Sequence, residues 1–326
     1  MKPLRQILIP VALLFIPSGQ GVFSWGFWAH TKINRMAVFT LPPEMISFYK
    51  TYIDYIGDHA PDPDRRRNMV PEEAPRHYFD SEHYNAAFDS VPHSWKDAVA
   101  KYGEDSLNAY GIVPWHIVKM TYALTNAFME KDVYRILRCS ADLGHYIADA
   151  HVPLHTTENY NGQLTSQEGI HNFWESRLPE LFGERYDCFT GRASYINDLN
   201  EESWRIIQES YAAVDSVLGI EKKLTESFPA DKKFSFEAQG SVTKKVYSKK
   251  FSEKYHEMLN GMVERRLRLS IKRVGDFWYT AWINAGSPRL DIISRDEGSK
   301  QLADSSNMAD YPLPALKLKA RGHIDE

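Results

Sequence analysis

The 326-residue chain carries 39 Lys and Arg against 43 Asp and Glu and is 43% apolar, a balance that gives an ordinary folded protein and excludes wholesale disorder. A formal net charge of −4 argues against a protein that coats nucleic acid through a basic surface, though not against an enzyme that cuts nucleic acid at a local cationic site. The two cysteines, Cys139 and Cys188, allow at most one internal disulfide and no cysteine-based metal cluster, so any metal must be held by His, Asp and Glu.

In chain order, Lys2 and Arg5 precede an apolar run from Ile7 to Ile16, which Ser18-Gly19-Gln20-Gly21 breaks before Val22-Phe23-Ser24. This reads as a secretory signal over residues 1–24, too short to span as a helix and cleaved after Ser24; the alternative is an uncleaved amino-terminal anchor. Cleavage would leave a secreted or periplasmic chain starting at Trp25, its net charge moved from −4 to −6 by the loss of Lys2 and Arg5. Helical periodicity follows over Glu44 to Gly57 and Ser94 to Tyr110, over Pro114 to Lys131 with proline in its first turn, and over Asp132 to Ala150 with a capping Asp before Pro153. Glu201 to Leu218 and a long stretch from Ser252 to about Ala285 repeat it. No run of period-two alternation predicts a strand, and Asn161-Gly162 is a loop between helices. Beyond Pro288 apolar residues thin out, so residues 289–326 are expected to be a disordered tail. The fold class is therefore all-α, a single compact multi-helix domain over residues 25–288.

Chemistry concentrates in His145-Tyr146-Ile147-Ala148-Asp149-Ala150-His151-Val152-Pro153-Leu154-His155. Residues four apart on a helix share a face, so His145 and Asp149 point the same way, and His155, past the helix-ending Pro153, can turn to the same cavity. Ser140, Gly144 and Ala148 form a neighbouring stripe of small residues that lets another helix approach closely. An isolated His/Asp pair is commonly structural. Here the spacing recurs in His171 and Glu175 within Gly169-Ile170-His171-Asn172-Phe173-Trp174-Glu175-Ser176. Upstream, Ala60-Pro61-Asp62-Pro63-Asp64-Arg65, Arg76-His77-Tyr78-Phe79-Asp80 and Trp25-Gly26-Phe27-Trp28-Ala29-His30 add carboxylates and imidazoles, donors that zinc accepts.

In these motifs, their order and their spacing, the chain resembles the superfamily of zinc-dependent phospholipase C and the secreted single-strand nucleases of the S-one/P-one type. The resemblance runs by motif from Trp25 to about Glu175. It implies a helical body with about three zinc ions at the base of a cleft. Asp62, His77, His145 and Asp149 would hold the first, and His155, His171 and Glu175 the second. The amine and carbonyl of Trp25, with His30 and a bridging Asp149, would hold the third. Asp62 is chosen over Asp64 for its fifteen-residue gap to His77, which sets Arg65 three positions later, where the nuclease branch has a catalytic arginine. The implied activity is that of a hydrolase acting on phosphate ester bonds through a metal-activated hydroxide, with Asp62 and Arg65 as catalytic residues and no stable protein partner for a monomer.

The substrate stays open between phospholipid and single-stranded nucleic acid. The Trp25–His30 spacing and Arg65 resemble the nuclease branch, whereas Glu175 and the short loop from His155 to His171 resemble the phospholipase branch. With two Cys and no Asn-x-Ser/Thr sequon, the chain departs from the fungal nucleases. A non-catalytic secreted zinc-binding protein is the alternative. His59, His83, His93, His116, His151 and His256 fit no motif and are expected to be structural or surface residues. Tyr78, Phe79, Trp115, Trp174, Trp278, Tyr279 and Trp282 are expected chiefly in the core.

Overall fold

A computed structural model describes residues 26–67, 69–84, 88–239 and 242–291. The signal segment, Trp25 and nearly all of the carboxy-terminal tail expected from the sequence lie outside those residues. Helices α1 (Phe27–Ala37), α2 (Pro43–Thr51), α3 (Ile53–Asp58) and the short α4 (Asp62–Arg67) lead to a 3-10 turn, Ala74–His77. Next come α5 (Trp95–Tyr102), α6 (Glu104–Tyr110), α7 (Val113–Glu130), α8 (Val133–Ala150) and a second 3-10 turn at Pro153–Thr156. Helix α9 (Ile170–Asn172) runs through a π-helical turn at Phe173–Arg177 into α10 (Leu178–Phe182). The chain continues with α11 (Leu199–Tyr211), α12 (Val214–Ser227), β1 (Phe234–Gln239), β2 (Val242–Tyr247), α13 (Lys249–Met258) and α14 (Met262–Asn284).

Among the described residues the architecture is all-α apart from that one antiparallel hairpin. Four of the long expected helices are each divided in two by local backbone geometry. Tyr52 leaves helical dihedrals at φ −113° and ψ 21° between α2 and α3, Gly103 turns to φ 79° between α5 and α6, and Asn260 and Gly261 take φ 48° and 73° before α14. Ala212 and Ala213 separate α11 from α12. The hairpin corrects the expectation of no strands. Phe234-Ser235-Phe236-Glu237-Ala238-Gln239 does alternate, but its partner Val242-Thr243-Lys244-Lys245 is exposed throughout, so no buried face imposed alternation on it.

Helix α8 is the axis of the body. Asp132 caps it by accepting from the Arg135 amide at 3.0 Å, and most of its length is buried. The small-residue stripe does what its composition requires. A Cβ at Gly144 would stand 2.1 Å from Asn34 Oδ1, so only glycine lets α1 cross there; Asn34 then donates to the Ala141 carbonyl at 3.0 Å. Ser140 accepts from Trp278 Nε1 of α14 through its carbonyl at 3.1 Å and bonds Tyr49 Oη at 2.8 Å. Trp278 stacks on Tyr49 with centroids 5.0 Å apart. Phe79 and Trp115 both meet Trp204 edge to face, at 5.1 and 5.0 Å, an arrangement worth about 0.5–1.5 kcal/mol per pair beyond area burial. These aromatics are core, as expected, and both cysteines are free thiols.

Candidate metal centre

Because α8 is helical, His145 and Asp149 fall on one face, with His145 Nε2 3.1 Å from Asp149 Oδ2. His145 Nδ1 lies 3.0 Å from the Ala60 carbonyl. A carbonyl only accepts, so Nδ1 carries the proton and the Nε2 lone pair faces the other donors. His77, at the end of its 3-10 turn, brings Nδ1 to 2.8 Å from Asp149 Oδ2 and 3.0 Å from His145 Nε2. Helix α1, let in by Gly144, stacks His30 on His145 at 3.9 Å and sets its Nε2 3.4 Å from Asp149 Oδ1. Asp64 of α4 completes the group, its Oδ1 3.6 Å from both His77 Nδ1 and His145 Nε2. Ligating atoms of Asp64, His77, His145 and Asp149 lie within 4.8 Å of one another, and all four residues are buried.

A second buried group consists of His155, His171 and Glu175. Glu175 Oε2 is 3.0 Å from His171 Nε2 and 3.3 Å from His155 Nε2, while Glu175 Oε1 is buried with no hydrogen-bond partner among the described residues. Glu175 sits in the π-helical turn, a local geometry frequent at functional sites. The two groups are joined where the segments of His77 and His155 meet. His155 Nδ1 donates to the His77 carbonyl at 2.6 Å, and the Phe79 amide donates to the His155 carbonyl at 2.9 Å.

Burial and mutual charge tune these side chains strongly. Burial drives His145 down to about 3, outweighing the attraction of Asp149, so its ring is neutral and a lone-pair donor. Burial alone would raise Asp149 and Glu175. For Asp149 it is overcome by His145 and His155, which hold the carboxyl well below its ordinary range; for Glu175, His171 and His155 bring it to about 2. His155, whose charge burial opposes, is nonetheless raised to about 9 by Asp149 and Glu175. Imidazoles and ionised carboxylates converging in a dry interior form a donor set that suits zinc in its chemistry and asks for positive charge in its electrostatics.

The geometry departs at one residue from the set expected from the sequence. Asp64, not Asp62, enters the first group. Successive helical residues turn by about 100°, so the two carboxylates leave α4 in nearly opposite directions, and Asp62 instead bonds His59 Nδ1 at 2.6 Å and Arg65 Nη1 at 2.5 Å. Arg65 is half exposed, bonds Asp62 and the Asp58 carbonyl, and lies over the Phe27 ring at 4.9 Å. The arginine three positions after Asp64 is Arg67, partly buried and close enough in charge to act on the Tyr78 phenol. His30, His77, His145 and Asp149 are brought together, as are His155, His171 and Glu175. Trp25 lies outside the described residues; Gly26 is buried with its amide donating to Ser176 Oγ at 3.2 Å, next to Glu175 in the chain.

Beneath the first group lies a charged network the sequence did not announce. Glu73, 1% exposed, sets Oε1 3.6 Å from His77 Nε2 and accepts from Tyr146 Oη on the same side. Its Oε2 accepts from Arg76 at 2.8 Å and from Arg66 at 3.5 Å, and Arg66 grips Asp142 with two nitrogens at 2.9 and 3.3 Å. Burial would raise Glu73, but His77 and the two arginines hold it well below the carboxylate range. A carboxylate behind the far nitrogen of a ligating imidazole fixes its tautomer and ring orientation. The four-residue offset from Glu73 to His77 repeats that of His145/Asp149 and was the available signal. Of the histidines outside the motifs, His151 donates to the Ile147 carbonyl at 2.7 Å and His256 bonds Tyr186 Oη at 2.7 Å.

No family model matches the chain, and no curated protein matches it in sequence. A solved structure of alpha toxin from Clostridium absonum is similar at a TM-score of 0.46 and 13% identity, over 82% of this chain and 66% of that one. No helix among the described residues is long and apolar enough to cross a membrane.

Proposed function

We propose that this protein is an exported zinc-dependent phosphoesterase that hydrolyses phosphodiester bonds. The observation that carries the reading is the adjacency of two buried His/carboxylate groups, Asp64/His77/His145/Asp149 and His155/His171/Glu175, fastened to each other at His77 and His155. Each group would hold one ion. His30, beside Asp149, would hold a third together with the amine and carbonyl of Trp25; support comes from Gly26, which seats the start of the described chain on the Glu175 helix. Zinc bound there supplies Lewis acidity toward phosphoryl oxygens and acidifies water.

The chain's own residues set the rest. Asp64, Asp149 and Glu175 are three carboxylates against about three divalent ions, which leaves net positive charge for an anionic phosphodiester. Glu73 and the Ala60 carbonyl hold His77 and His145 with the correct nitrogen inward. Arg65 and Arg67, on the helix that carries Asp64, are the cations of α4 whose part in stabilising a leaving oxygen is to be tested by substitution. Asp62, clasped by His59 and Arg65, orients Arg65 and holds no ion. A phospholipid is the first substrate class to test, because Glu175 and the short loop that follows His155 share the phospholipase pattern. Single-stranded nucleic acid is the second, on the spacing of Trp25 and His30.

The deciding experiment is elemental analysis of the mature protein, followed by assays on phosphatidylcholine, single-stranded DNA, RNA and a 3′-nucleotide, with and without chelator. The reading expects about three zinc ions and chelator-sensitive hydrolysis of one phosphodiester class. Bound zinc with no turnover of any of them would favour the non-catalytic zinc-binding protein. A chain that holds no metal would overturn both.

A further inference from the structure

The β1–β2 hairpin is the one sheet among the described residues of an otherwise helical body, and it is fastened to the helix that carries the second ligand group. Tyr247 stacks on Phe173 at 3.8 Å, and Arg177, two residues past Glu175, grips Glu237 with two nitrogens at 2.8 and 2.6 Å. From that base the hairpin projects. Val242, Thr243, Lys244 and Lys245 are all exposed, Phe236 is 75% exposed, and Phe236 pairs directly with Lys245 across the ladder. Lys232, Lys249 and Lys250 are exposed at its foot, where Ser248 binds the Lys232 and Lys233 carbonyls. A chain whose net charge is −4 thus gathers lysines around an uncovered aromatic side chain.

We propose that this hairpin docks the protein on an anionic lipid surface, beside the metal centre it is anchored to. The inference rests on the phosphodiesterase reading for its purpose, and it makes the substrate a lipid held in that surface. Lysines near a negatively charged bilayer draw the protein in, and an exposed aromatic beside them enters the interface. The alternative polyanion, a single-stranded nucleic acid, is disfavoured by shape and by residue type. Such strands are tracked by a groove with stacking platforms, whereas Phe236, Ala238, Thr243 and Lys245 share one exposed face of this hairpin. Between residues 231 and 250 the cations are all lysines, point charges suited to a diffuse surface, without the arginine fork that reads individual phosphates.

The full purified chain would be sedimented with vesicles of phosphatidylcholine alone and of phosphatidylcholine with phosphatidylserine. Two variants, Phe236→Ser and the double Lys244→Ser/Lys245→Ser, change only exposed positions; thermal melts check that they fold. The expected result is salt-sensitive binding to the anionic vesicles, weakened at least about tenfold by each variant, with unchanged turnover of a soluble, monomeric phosphodiester. Equal binding to both vesicle types, or variants that bind as the parent does, would overturn the proposal. So would hairpin-dependent binding of a single-stranded oligonucleotide in place of vesicles. Hairpin-dependent vesicle binding by a chain that hydrolyses nothing would sustain the docking surface while the hydrolase reading fell.

Discussion

The two ligand groups are built in different ways. His155, His171 and Glu175 come from one stretch of about twenty residues, held by a 3-10 turn and a single helix. The first group draws Asp64, His77, His145 and Asp149 from three separated elements, with His30 added from α1. It also rests on a buried network of Arg66, Glu73, Arg76, Asp142 and Tyr146. A locally built site depends on its own few residues, whereas a tertiary site depends on every contact that brings its elements together. Damage to the first group should therefore spread further than damage to the second.

The sharpest test of that contrast is Asp149→Asn against Glu175→Gln. Asp149 lies within 3.4 Å of nitrogens from His30, His77 and His145, while Glu175 pairs with His155 and His171 of the second group. Asp149→Asn is expected to remove about two ions and to lower kcat/KM by more than about a thousandfold, Glu175→Gln to remove about one ion. Elemental analysis beside the kinetics checks it. Equal, mild losses would mean that Asp149 serves one group alone.

Next in size is the pair Asp64→Asn and Asp62→Asn. The former should lose about one ion, because it removes a charged oxygen donor from the first group. Asp62→Asn should keep its full metal content and lower turnover only as far as it loosens Arg65. Arg65→Ala and Arg67→Ala, assayed in parallel, should keep their metal and show which cation the reaction uses. Metal loss from Asp62→Asn with none from Asp64→Asn would reverse the assignment.

That pair also marks where the sequence stops being readable. His145, Asp149, His171 and Glu175 were legible because a four-residue spacing fixes a common face once the helix is granted. Asp62 and Asp64 sit on a six-residue helix with no apolar pattern to say which side is buried, so the choice fell to chain spacing and took the carboxylate that faces away from His77 and His145. Glu73 carried the same four-residue offset from His77, but in a turn followed by a 3-10 segment, where helical facing does not apply. A close helix crossing at Gly144 was readable from the stripe of small residues, but that α1 makes it was not, because nothing read from the sequence marked residues 27–37 as a helix. Nor was the hairpin, because its exposed outer half had no core to write alternation into β2.

A smaller effect is expected from Glu73→Gln, which keeps shape and removes the charge behind His77. Affinity for the first-group ion should fall about 10–100-fold, the range for a lost outer carboxylate, with the second-group ion held as before. Competition with a chromogenic chelator measures both affinities. A uniform loss at both groups would show a folding defect, and no change would show that Glu73 serves only the arginines.

The smallest expected effect on metal binding lies at the joint between the groups, where the change is read in stability. Asp80 is three residues past His77 on the segment that pairs with His155, and its amide donates to the Tyr110 carbonyl at 2.8 Å. Burial, with Glu82 and Glu158 adding to it and His83 and His155 opposing, raises its carboxyl to about 7; the phenols of Tyr78 and Tyr84 also face it. A carboxyl raised on folding contributes stability that is fully present below its unfolded value, near 3.9, and is lost as pH rises through the folded one. The parent protein should therefore weaken between about pH 4 and pH 7 relative to Asp80→Asn, and the gap should stay constant above that, at a few kcal/mol at most on a scale of about 1.36 kcal/mol per unit. Urea unfolding of metal-free parent and variant across that range reads the difference directly. A gap that does not change with pH would mean that Asp80 is ionised throughout, and that the joint between the two groups carries a third fixed negative charge beside Glu82 and Glu158.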